Sequence, residues 1–103
     1  MKLLLILYIE EHEKEVRKIL RSQKIQMYSE VDVKGFKNEN HEADIDNWFA
    51  HDEVERFSKL FFSIQSDQKV SAMLGAVKSY NEMHEGMENY PLHAYKLNVE
   101  ETV

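Results

Sequence analysis

Cysteine is absent from the 103 residues. Disulfides, thiolate metal centres and thiol catalysis are therefore excluded together. Glycine and proline are sparse, at three residues and one, so the few present mark breaks: Gly35 at the end of an alternating segment, Gly86 and Pro91 around a connection. Positive charge is in the minority, with 13 Lys and Arg against 19 Asp and Glu and a formal charge of -6. The basic residues are dispersed, which argues against a nucleic-acid partner, because phosphate binding needs them clustered. No apolar run approaches the roughly 20 residues that cross a bilayer. The run near the N-terminus lacks a small-residue cleavage site and meets an acidic helix at once, so a mature cytoplasmic protein without membrane insertion is expected. Catalytic signatures are missing too. No nucleophile sits in a recognisable turn and no carboxylate spacing singles out an acid–base pair, so the expectation is a protein that is not an enzyme.

What is present begins with Leu3 to Ile9, an unbroken apolar run that stops at Glu10-Glu11. Side chains alternate between the faces of a strand, so a run without alternation needs cover on both sides. Only two segments read convincingly as helices, and two helices cover one face of a small sheet. Another subunit is the expected cover for the second face.

The chain reads as a single domain over residues 1–103, in two similar halves. Residues 11–22 place Val16, Ile19 and Leu20 on one helical face, with Glu11, Glu13 and Glu15 early and Arg17, Lys18 and Arg21 late, as the helix dipole favours. Residues 25–34 alternate, with Ile25, Met27, Val31 and Val33 on one parity, which predicts a half-buried edge strand ending at Gly35. Phe57 to Gln65 predicts a third strand, apolar at Leu60-Phe61-Phe62. Ser66 or Asp67 is placed to cap the next helix, where Val70, Met73, Leu74 and Val77 recur at helical spacing. Leu92 to Val99 predicts the last strand. The order strand, helix, strand, long loop, strand, helix, strand is the ferredoxin-like βαββαβ sandwich, an α+β fold with both helices on one face of an antiparallel sheet.

The long connection, 36–55, is the main functional candidate. From Asn38 to Glu55 it contains no Lys or Arg. Its carboxylates and imidazoles make His41, Asp44, Asp46, His51 and Asp52 candidate ligands for a divalent metal ion, since hard oxygens and imidazole suit such cations. The spacing matches no established ligand motif, and an acidic solvated loop is the other reading. Trp48-Phe49 are costly to leave in water and are expected to dock on their own sheet, on a neighbouring subunit or in a partner's pocket. Of the other histidines, His12 reads as a surface residue, His84 as a complement to a helix dipole, and His93 as sharing a strand face with Tyr95 and Leu97.

The opening Met1-Lys2-Leu3-Leu4-Leu5-Ile6-Leu7-Tyr8, the acidic helix after it, the long loop between strands two and three, and the closing His93-Ala94-Tyr95-Lys96-Leu97-Asn98-Val99-Glu100-Glu101 together resemble the PII-like signalling proteins. The likeness lies in layout and hydrophobic rhythm across nearly the whole chain. It implies a homotrimer with sheets facing inward, and a long loop, the T-loop of PII, that engages a protein target such as a transporter or enzyme. The resemblance to CutA-type divalent-metal-binding trimers is more distant. PII proteins that bind adenine nucleotides use glycine-rich turns and basic residues. In this chain Gly35, Lys37 and Gly86 are the matching candidates for ligand binding, and the Glu82, Glu85 and Glu88 around Gly86 would oppose a triphosphate. The function implied is a non-enzymatic regulator that senses a small ligand or metal ion through its acidic loop, with a CutA-like metal-binding trimer as the alternative.

Overall fold

The apolar run becomes β1 (Lys2–Ile9), followed by one turn of 3-10 helix (Glu10–His12) and α1 (Glu13–Ser22). Then come β2 (Ser29–Phe36), β3 (Glu55–Gln65), α2 (Asp67–Met83) and β4 (Leu92–Asn98). The computed structural model describes residues 1–36, 55–84 and 92–103. The strands form one sheet in the order β2-β3-β1-β4, with every neighbouring pair antiparallel. This is the ferredoxin-like arrangement, with the two most apolar strands at its centre.

Local chemistry sets the helix boundaries. Val16 and Leu20, one turn apart, are the buried residues of α1. The helix closes with Lys24 N–H donating to the Arg21 carbonyl at 3.0 Å and Ile25 N–H to the Leu20 carbonyl at 2.9 Å. These are the paired bonds of a Schellman closure, and Lys24 takes the left-handed conformation (φ 59) that glycine usually fills. Ser66 caps α2, its hydroxyl accepting from Lys69 N–H at 3.2 Å.

Several boundaries differ from the sequence expectation: β3 starts at Glu55, two residues before Phe57, and β4 ends at Asn98, one residue before Val99. Residues 10–12 form a 3-10 turn, not the first turn of α1. β2 begins at Ser29, not at residue 25, because Ile25 is the hydrophobic anchor of the Schellman closure and turns into the core, while Met27 stays 81% exposed. β2 also continues one residue past Gly35, to Phe36.

One core lies between the helices and one face of the sheet. Leu4, Ile6 and Tyr8 of β1, Phe61 of β3 and Leu92 of β4 meet Val16 and Leu20 of α1 and Val70, Met73 and Val77 of α2. The other face carries the remaining parity. Strand register aligns Leu97, Leu3 and Ile64 in one row, Tyr95, Leu5 and Phe62 in the next, and His93, Leu7, Leu60 and Val31 in a third. No described helix covers these rows. Ile64 is 52% exposed, Val31 46%, Leu97 43% and Phe62 36%, an apolar surface of the kind that marks an interface.

Candidate functional site

β1 and β2 run one way, β3 and β4 the other. The ends of β1 and β2, the starts of β3 and β4, the 3-10 turn and the C-terminus of α2 therefore gather at one end of the sheet. Both long connections, 37–54 and 85–91, leave from that end. Gly35 sits there opposite Arg56 and is buried. Lys37, His41, Asp44, Asp46, Trp48, Phe49, His51, Asp52 and Gly86 lie outside the described residues. Within one chain the anchors of the two connections are far apart. Gly35 on β2 and Leu92 on β4 occupy opposite edges of the sheet, separated across it by three strand spacings, about 14 Å, and offset along it because Leu92 is level with Asp32.

The β2 edge is tied to α1 by a charged network. Tyr8 Oη donates to Glu30 Oε1 at 3.1 Å. Arg17 Nη2 donates to both Glu30 oxygens, at 3.0 and 2.9 Å, and to Glu13 Oε2 at 2.7 Å, while Nη1 donates to Tyr28 Oη at 2.9 Å. Burial, reinforced by the Glu30 carboxylate, raises the Tyr8 hydroxyl above the ordinary phenol range, so it keeps the proton that it donates to Glu30. Its hydrogen bond to Glu13, with Glu30 beside it, likewise holds the Arg17 guanidinium protonated. Arg17→Met is expected to cost about 2 kcal/mol, because two carboxylates and the Tyr28 hydroxyl lose their shared partner. Tyr8→Phe is expected to cost about 1 kcal/mol, since Glu30 keeps Arg17. Urea denaturation of the two variants checks the order.

The β4 edge has a different frame. Asn81, near the end of α2, donates through Nδ2 to the Leu92 carbonyl at 2.9 Å and accepts at Oδ1 from Leu92 N–H at 3.2 Å. One side chain thus satisfies both outward backbone groups of the first residue of β4 and fixes the two ends of 85–91 together. Three residues on, His84 closes α2: its Nδ1–H donates to the Tyr80 carbonyl at 2.7 Å and its ring stacks on Tyr80 at 4.1 Å between centroids. Tyr80 Oη lies 3.2 Å from His12 Nδ1 in the 3-10 turn. His12 is thus not a simple surface residue, and His84 does more than complement a dipole. Neither Asn81 nor Tyr80 carries a sequence signal for this role, since their partners are set by tertiary structure. His93 lies on the sheet face away from the helices, where burial lowers its pKa.

Among the described residues no three His, Asp or Glu side chains gather into a metal-binding set, and no described helix is long and apolar enough to cross a membrane. No protein-family model matches the chain, and no curated protein matches it. Solved structures do match. A DUF3240 family protein from Shewanella baltica OS155 aligns with a TM-score of 0.65 at 14% identity, over 99% of this chain and 92% of its own. CPII from Thiomonas intermedia K12, described as a nitrogen regulatory PII-like protein bound to ADP, AMP and bicarbonate, aligns at 0.60 and 12% identity, covering 99% and 94%. A candidate PII-like signaling protein from Thermus thermophilus aligns at 0.58 and 16%, covering 95% and 85%. The strand order, the two helices on one face and the paired connections at one sheet end make this the fold of the PII-like signalling proteins.

Proposed function

We propose that the chain is a non-enzymatic PII-like regulatory protein, acting as a homotrimer whose long connection 37–54 senses a small ligand or metal ion and engages a target protein. The observation that carries this reading is the pairing of a sheet face that no described helix covers, where Ile64, Val31, Leu97 and Phe62 are exposed, with two connections leaving one end of the sheet from opposite edges. In an assembly that buries the face, the β2 edge of one copy can approach the β4 edge of another, so the Gly35 and Gly86 connections can meet between subunits although one chain holds them apart. Binding there acts by population shift, favouring the loop conformation that the ligand contacts best.

The composition of 38–55, rich in carboxylate and imidazole and free of Lys and Arg, supports a divalent cation as the sensed species. The CPII neighbour, bound to ADP, AMP and bicarbonate, supports a second reading in which an adenine nucleotide binds near Gly35, Lys37 and Gly86. Calorimetric titration with Mn²⁺, Ni²⁺ and Zn²⁺ chlorides and with ADP and AMP separates the two. Cation heat is expected, lost when His41→Ala and His51→Ala are combined. Nucleotide heat alone favours the second reading, and heat from neither class removes both. Cation binding without any captured target would leave the CutA-like alternative in place of a regulator.

A further inference from the structure

We propose that His12, Tyr80 and His84 form a proton-operated latch. It holds the last turn of α2 against the 3-10 turn after β1 while His12 is neutral, and it loosens that turn when His12 takes up a proton. The proposal stands on the described residues alone and not on the regulatory reading.

The three side chains come from two segments separated by 68 residues between His12 and Tyr80. Tyr80 is the centre: its hydroxyl meets His12 Nδ1, its carbonyl accepts from His84 Nδ1–H, and its ring packs tilted by 31° against the His84 imidazole and edge-on against that of His12, with centroids at 4.1 and 6.2 Å. Because a carbonyl can only accept, the bond to Tyr80 fixes His84 with its proton on Nδ1. The joint sits directly before residue 85, beside the Asn81 clamp on Leu92. Opening it frees the C-terminal turn of α2 at the sheet end where β1 and β2 finish and β3 and β4 begin.

The groups facing His12 decide the sign. Burial disfavours its charged form, Glu11 on the 3-10 turn and Glu15 on α1 favour it, and His84 on α2 opposes it. The net effect lowers the pKa of His12 below its ordinary value of 6.5. A group held neutral by the closed arrangement binds its proton more tightly once that arrangement opens. The stabilisation is therefore complete above the ordinary imidazole range and is lost as pH falls through the lowered value. Tyr80, shifted upward by burial and by Glu15, stays protonated throughout.

Hydrogen exchange of the amides of 81–84, measured on the intact protein at about pH 7.5 and about pH 5.5 and corrected for intrinsic rates, reads the latch. A loss of protection at the lower pH is expected in the unaltered chain, with protection staying level in His12→Gln. No fall in the unaltered chain, or an equal fall in the variant, overturns the latch. An NMR titration of the His12 ring in His84→Gln provides a second reading: the midpoint is expected to rise when the neighbouring imidazole is removed. An unmoved midpoint counts against the coupling. If the latch fails while the calorimetric titration succeeds, the regulatory reading survives, and the converse also holds.

Discussion

Replacing Ile64 with glutamate is expected to turn an assembled protein into single folded chains. Ile64 lies on a central strand, in a row with Leu3 and Leu97 on the face that no described helix covers, and 52% of it is exposed in the isolated chain. A carboxylate there costs the single chain little, within about 0.5 kcal/mol for a surface substitution. In an assembly that buries this face, each copy would bring an unpaired charge out of water, at a cost of several kcal/mol per subunit. The asymmetry makes the substitution diagnostic. Light scattering after size-exclusion chromatography is expected to give a trimer mass for the unaltered protein and a single-chain mass for Ile64→Glu, with unchanged far-ultraviolet circular dichroism. Lys18→Glu, a charge reversal at an exposed position on α1, is expected to leave the assembly intact. An unaltered protein that is already a single chain at micromolar concentration would defeat the proposal.

The parts of the fold that are legible in the sequence are those whose energetics are local or periodic. Leu3 to Ile9 demands two covered faces by its pattern alone, and β1 does pack one parity on the helices, while of the other parity Leu7 is buried and Leu3 and Leu5 are half-buried on the face that no described helix covers. Val70, Met73 and Val77 announce α2 by spacing, and Ser66 announces its start. The start of β2 is less legible because Ile25 fits two patterns. It continues the alternation of Val31 and Val33, yet it also serves as the anchor of a helix closure, and the closure wins because burying Ile25 beside Leu20 satisfies α1. At the candidate site only Gly35 is among the described residues. Asn81, Tyr80, Arg17 and Glu30 give no sign of their roles because polar residues on amphipathic segments look alike in sequence. Their partners are chosen by which strands become neighbours. His12 and His84 look unrelated in sequence for the same reason.

Phe61→Ala is expected to cause the largest loss of stability of any single change proposed, about 3–5 kcal/mol, the range for truncating a fully buried phenylalanine. Phe61 is wholly buried at the centre of the sheet, with Ile6 opposite it on one side and Glu30 on the other. The void would not be confined to the core. The Tyr28 ring lies 4.5 Å from the Phe61 ring between centroids, and the Tyr28 hydroxyl accepts from Arg17 at 2.9 Å. Removing the phenyl group therefore also loosens the network that ties β2 to α1. Because the two effects share Tyr28, Phe61→Ala combined with Arg17→Met should cost less than the sum of the separate losses. Thermal unfolding at matched protomer concentration should show a fall of more than about 12 °C for Phe61→Ala. A loss below about 1 kcal/mol would place the core elsewhere. The next residue supplies the contrast. Phe62, 36% exposed, lies on the face that no described helix covers, so Phe62→Ala should cost a dilute single chain less than Phe61→Ala while weakening assembly. Two adjacent phenylalanines thus report on different interfaces, one within the chain and one between copies, because a strand turns successive side chains to opposite faces.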